Sequence, residues 1–138
     1  MVSRKKLLDS IVGRRYSRIP TMKRALEKTP PLSAATLHIL LALAGGDLHG
    51  YGIIQEVARH SDGHYTLGPG TLYDNLKKLM DAGLVADAPK SAASDDDERR
   101  FYTITKGGRS ALSVEIDRLQ SVVREGRSRL RETRPRRV

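Results

Sequence analysis

The sequence predicts a mainly α chain with one small β-hairpin, an α+β class. Three observations lead to it. Between residues 32 and 83, three apolar stretches with helical spacing are separated by junctions that carry Gly and Pro. Phe101-Tyr102-Thr103-Ile104-Thr105 instead alternates apolar and polar residues of aromatic and β-branched type, the mark of a strand. Beyond Thr105, apolar residues return as a narrow seam at Leu112, Ile116, Leu119, Val123 and Leu130, with Gly126 in the missing place. A chain of 138 residues holds one compact domain with extended ends. The expected division is a basic extension at 1–31, a folded domain at 32–105, a long helix at 106–131 and a basic tail at 132–138.

Composition narrows the class. Hydrophobic residues make up 38%, with five Tyr, one Phe and no Trp, so the core should be aliphatic. There is no cysteine, which removes a disulfide framework, a thiolate metal site and a cysteine nucleophile together. The longest apolar run, Leu37 to Ala44, is interrupted by His38 and falls far short of the roughly 20 residues that span a bilayer. The basic start lacks the apolar centre of a signal peptide. A cytoplasmic location without a membrane partner is the expectation. The net charge of +9 points to an anionic partner, but its distribution says more: residues 1–30 carry +7 and 118–138 carry +6, whereas 31–117 carries −4. Basic ends of this kind either track phosphate, with strong salt dependence, or simply keep a protein soluble.

In chain order, residues 1–21 hold few apolar groups, and Gly13 and Pro20 limit any helix there. They are expected to be a mobile arm or an upstream start that the cell bypasses, since Met22 also begins a plausible chain. Pro30-Pro31 forces extended backbone ahead of the first core helix. Ser33 is the natural N-cap of that helix, with Leu32 before it as a staple. Leu37, Ile39, Leu40, Leu41 and Leu43 make it apolar nearly all round, and Gly45-Gly46 stops it. His38 reads as a packed histidine, with no acidic or second His neighbour at ligand spacing. The second helix is expected over Leu48 to Gly63, with Ile53, Ile54, Val57 and Ala58 inward. Gly50 and Gly52 are poor helix formers in its first turn, and require a close approach by a phosphate or by another helix.

Tyr65-Thr66-Leu67 is expected as a brief strand before the third helix. Pro69 suits the first position of that helix, Leu72, Leu76 and Leu79 line its inner side, and Gly83 ends it in a left-handed conformation. Gly70, Asp74, Lys77, Lys78 and Asp81 project from the other side. Leu84-Val85-Ala86 and the strand at 101–105 then bracket a loop with Asp95 to Glu98 at its exposed tip, and Phe101 and Ile104 read as core. Three helices followed by a hairpin is the order of a winged helix-turn-helix domain, whose third helix enters the major groove. The acidic tip would be repelled by phosphate, so wing contacts fall to Lys90, Arg99 and Arg100. Thr105 caps the last helix, with Lys106-Gly107-Gly108 as a loose first turn. Its seam has nowhere to bury within so small a domain, which favours pairing through a two-fold over folding back on the first helix.

Catalytic signatures are missing. The chain has no P-loop, dinucleotide fingerprint, HExxH or GxSxG, and Asp95-Asp96-Asp97-Glu98 lacks a rigid scaffold. His49, His60 and His64 follow no ligand pattern. No catalytic residue, metal site or cofactor is therefore expected.

LSAATLHILLAL, LHGYGI, LGPGTLYDNLKKLMDAGLV and RRFYTITKGGRSAL, in that order and spacing, resemble the PadR family of bacterial transcriptional regulators over residues 32 to 125. The resemblance implies a dimeric winged-helix repressor of double-stranded DNA, paired through its C-terminal helix and often its N-terminal segment. It implies DNA contacts near Tyr51 and at Gly70, Thr71, Tyr73, Asn75, Lys77 and Lys78. Helical projection independently turns Gly70, Thr71, Lys77 and Lys78 outward, leaves Tyr73 at the boundary and leans Asn75 towards the core. Packing accounts for Tyr51 and Tyr73 equally well. Some of the smaller members that the C-terminal helix resembles bind planar hydrophobic molecules at the dimer interface through tryptophan, a residue absent here. A small-molecule effector of unknown identity is thus left open. The expectation is a homodimeric repressor on a pseudo-palindromic operator. The alternative is an adaptor whose winged helix binds protein and shows no preferred duplex at any salt.

Overall fold

The Ser33 hydroxyl accepts the Thr36 N–H at 3.1 Å and so starts helix α1, Ala34–Ala44, as its sequence predicts. The structure, a computed structural model, describes residues 30–89 and 99–132. The expectations for the N-terminal arm, Lys90, the acidic tip and the tail past 132 lie outside the described residues. α1 closes at Gly45-Gly46, where the Gly46 N–H donates to the Leu43 carbonyl at 3.1 Å. Ile39, Leu40 and Leu43 are fully buried, which makes α1 the central element.

The second helix begins later than expected. Leu48–His49 form strand β1, and helix α2 runs Gly50–His60. His49 explains the shift: its Nδ1 accepts the Gly52 N–H at 3.0 Å, so the residue caps the helix and cannot lie within it. After α2 the backbone turns with positive φ at Asp62 and Gly63, and Tyr65-Thr66-Leu67 is irregular, not a strand. Ser61 holds this turn, its hydroxyl bonded to both the carbonyl and the N–H of Tyr65 at 3.0 Å. Helix α3, Pro69–Asp81, follows with Leu72, Leu76 and Leu79 buried. It ends as predicted, with Gly83 at φ +78, the Leu84 N–H on the Leu79 carbonyl and the Gly83 N–H on Met80.

Strands β2, Val85–Asp87, and β3, Phe101–Ile104, make the hairpin, and β1 adds to its open side, giving the antiparallel order β1-β3-β2. Leu48 pairs with Tyr102 and His49 with Phe101, while Val85 faces Ile104. The two-residue period puts Tyr102 and Ile104 on the core face. Phe101 therefore points the other way, half-buried edge-on against His49 at 5.2 Å, contrary to its reading as core. Burying each core aliphatic contributes about 1.5–3 kcal/mol. That is far more than exposed ion pairs such as Arg59–Glu56 supply, so the aliphatic centre holds the three helices together.

Helix α4 runs Lys106–Glu132 and is regular from its start. Thr105 caps it through its hydroxyl, which accepts the Gly108 N–H at 3.0 Å and donates to the Gly83 carbonyl at 2.6 Å. Gly107-Gly108 is no loose turn, because a Cβ at Gly108 would stand 2.7 Å from Ile104 Cγ1 and overlap the Leu84 carbonyl oxygen. Leu112 is buried in the chain's own core, so the first residue of the expected pairing seam is already spent.

One contact ties the helix-turn-helix to α1. His38 Nδ1 and His60 Nε2 lie 2.9 Å apart, with the Tyr65 ring stacked on His38 at 4.4 Å between centroids. Two ring nitrogens this close share one proton and cannot both carry their own. Glu56 Oε2 sits 3.9 Å from His60 Nδ1 and is itself paired with Arg59. Burial first, and the neighbouring His60 second, hold the His38 imidazole below the usual histidine value of 6.5.

Because the unfolded chain then takes up the proton before the folded one, this contribution is complete above pH 6.5 and declines as the pH falls below it. The thermal midpoint followed by circular dichroism should drop as the pH is lowered through that range, and drop less in His38→Gln. Gly108→Ala should destabilise by about 1–3 kcal/mol or more, since backbone must move to admit the methyl group. Urea denaturation should give a lower midpoint at unchanged slope.

Candidate nucleic-acid interface

α2 and α3 pack on one another as a helix-turn-helix, and the end of α3 leads into the hairpin. α3 has an N-terminus without a side-chain cap, since Gly68 precedes Pro69. Gly70 and Thr71 are exposed in its first turn, followed by exposed Lys77 and Lys78. An uncapped helix start with small residues and two later lysines offers N–H groups and positive charge to an anion. Lys77 lies 3.8 Å from Asp81, both largely in solvent, so this pair competes weakly with a phosphate.

The other expected contacts are less uniform. Tyr51 is 63% exposed at the start of α2 and Tyr73 is 50% exposed on α3. Asn75 donates its side-chain N–H to the Thr71 carbonyl at 2.8 Å, which turns its amide back along its own helix. Projection had leaned it to the core, and it is indeed half-buried. Arg99 and Arg100 are exposed at the foot of the wing. Arg100 is also engaged within the chain. Its Nε donates to Asp87 Oδ1 at 2.5 Å, Nη2 to Oδ2 at 3.2 Å, and the guanidinium stands 5.2 Å from the Tyr102 ring centre. The Arg100 hydrogen bonds hold the Asp87 carboxyl below the usual carboxylate range, and burial raises the Tyr102 phenol.

Sequence reasoning missed Asp87 as the partner of Arg100 and His49 as a cap. The first had no signal, because the register across a long loop cannot be read from either strand. The second had one, a histidine three residues before a needed N–H donor. Among the described residues, no group of three or more His, Cys, Asp or Glu is placed to hold a metal ion. No described helix is long and apolar enough to cross a membrane.

α4 presents a second surface. Ile116, Val122, Val123 and Leu130 are exposed, at 40%, 56%, 50% and 77%, and Leu119 is half-buried. Val122 was not part of the predicted seam and widens it. A groove of about 470 Å³ runs along the same helix, lined by Arg109, Leu112, Ser113, Ile116, Asp117 and Gln120. At the buried base of the helix, Glu115 is paired with Arg118 and takes a further hydrogen bond from the Leu32 backbone. Both hold its carboxyl below the usual range, the Arg118 bond most.

The chain is similar to several known proteins. The profile of the Transcriptional regulator PadR-like family matches residues 39–114. The transcriptional regulator Rv3488 of Mycobacterium tuberculosis is 37% identical over 93 residues, covering 67% of this chain and 82% of the relative. The crystal structure of a PadR family transcription regulator from Clostridium difficile superposes with a TM-score of 0.59 at 20% identity, over 71% of this chain and 99% of the other. Bacillus subtilis PadR in complex with operator DNA superposes with a TM-score of 0.51 at 26% identity, over 61% of this chain and 47% of the other.

Proposed function

The chain belongs to the PadR-like family of transcriptional regulators, and from that premise we propose that it is a homodimeric, sequence-specific repressor acting in the cytoplasm. The observation that carries this reading is the uncapped, outward start of α3, with Lys77 and Lys78 behind it on a face not used by the core. Bacillus subtilis PadR, which shares this fold, is solved with operator DNA, and the equivalent use of α3 here follows by likeness. Tyr51, Gly70, Thr71, Tyr73 and Asn75 are assigned to the same contact surface, and Lys90, Arg99 and Arg100 are assigned to backbone contacts from the wing. In two copies related by a two-fold, the third helices would read half-sites about 34 Å apart in successive major grooves.

Pairing falls to α4. Ile116, Leu119, Val123 and Leu130, joined by Val122, supply the apolar surface, and Leu112 supports it from within the core. Repression is steric: a dimer seated on a pseudo-palindrome covers the promoter. An effector that bound one spacing of the two heads more tightly than another would release the DNA, by its difference in affinity for the two states. The function is one of binding, with no reaction catalysed.

Selection of bound fragments from random duplex DNA tests the reading directly. A recurring inverted repeat is expected, whereas a protein-binding adaptor would enrich no sequence. On the selected duplex, Lys77→Ala with Lys78→Ala should weaken binding and reduce the slope of log affinity against log salt by roughly 2, one unit for each phosphate lost. An unchanged slope in fluorescence anisotropy would remove both lysines from the interface. Ile116→Glu combined with Val123→Glu should give a folded monomer by sedimentation velocity, because two charges would be buried in the seam. A variant that still sediments as a dimer would place pairing elsewhere.

A further inference from the structure

Gly50 is the first residue of α2 and is buried, yet its φ is not in the left-handed region, so conformation alone does not require glycine there. Space does. A Cβ on Gly50 would stand 2.9 Å from Tyr73 Cζ and 3.4 Å from Cε1, with the hydroxyl oxygen closer still. All three atoms belong to one ring, which reaches from α3 across the first turn of α2.

Two features decide which side would yield to an added methyl group. The backbone at Gly50 cannot retreat, since Leu48 and His49 immediately before it are paired with Tyr102 and Phe101, and His49 caps the helix through the Gly52 N–H. Tyr73 can move, because its ring is half in solvent. The ring would swing outward from α2. Outward of it lies the face that carries Gly70 one turn before and Lys77 one turn after, the same face assigned above to phosphate.

We propose that Gly50 is a positioning residue for DNA binding: by having no side chain, it lets Tyr73 lie flat across α2 and keeps the reading face of α3 open. The ring then sets the separation between the starts of α2 and α3, which brings Tyr51 and Thr71 to one strand of backbone. This inference rests on the DNA-binding reading for its consequence, but not for its geometry.

The test is a double-substitution cycle on the selected duplex, with the nuclear Overhauser contact between the Gly50 α-protons and the Tyr73 ring as an independent readout. Gly50→Ala should lower affinity about tenfold or more, with the thermal midpoint little changed. Tyr73→Ala removes the obstructing ring, so Gly50→Ala with Tyr73→Ala should bind as Tyr73→Ala alone. Wild-type affinity in Gly50→Ala, or losses that add in the double variant, would overturn the proposal. Should Gly50→Ala fail to fold, the double variant decides: it must fold and match Tyr73→Ala, and its failure would mean that something other than the ring demands glycine. If the wild type prefers no duplex, the functional reading fails, while presence or absence of the Overhauser contact still decides the placement.

Discussion

The backbone at Gly83 and Leu84 passes so close to the first turn of α4 that no side chain fits between them. The Gly83 carbonyl accepts the Thr105 hydroxyl, the Leu84 carbonyl accepts the Thr105 N–H at 3.1 Å, and Gly108 packs directly on Leu84. Four elements end or begin around this contact: α3 stops, β2 starts, and β3 hands over to α4. Backbone packed on backbone has no rotamer through which to relax. The end of α3 and the start of α4 are therefore fixed to one another by backbone contact.

A second attachment supports the first. Glu115, one of the few charged side chains taken out of water, holds Arg118 and the Leu32 backbone just ahead of α1. A buried carboxylate is retained only with such compensation. It fastens α4 to the segment before α1, about two turns beyond Gly108. With those two points fixed, the helix from Ser121 onward projects away from them, and Val122, Val123 and Leu130 on it are exposed among the described residues.

How much of this was legible depended on the range of the cause. Local chemistry could be read: Ser33 and Thr105 as caps, Pro69 at a helix start and Gly83 at a helix end all follow from residues a few places apart. Apart from the His49 cap, which was local and overlooked, what was lost came from contacts between distant segments. β1 is two residues long, too short to show a period, and exists because β3 offers it an unpaired edge. The His38–His60 contact spans 22 residues and Arg100–Asp87 spans 13, and neither spacing has a helical or strand meaning. Leu112 illustrates the same limit. Its place in a two-in-seven pattern was correct, but the pattern does not say where the domain's own core ends and an external seam begins. At the candidate interface, the outward residues of α3 were found by projection, whereas the state of Arg100 needed its partner to be seen.

The wing follows from that state. An arginine held by a carboxylate on the adjacent strand and lying over Tyr102 has its direction set before any partner arrives. Its Nη2 also approaches the Met80 sulfur, 3.8 Å away near the end of α3. The guanidinium thus joins the hairpin to α3 on the exposed side, as the aliphatic core does beneath. A phosphate drawn to Arg100 would have to share it with Asp87, and the local field is less positive than the run of Arg99 and Arg100 suggests. On α3, by contrast, the Lys77–Asp81 pair lies largely in solvent and the first turn carries no side-chain cap. An anion would therefore meet less local competition at the start of α3 than at Arg100.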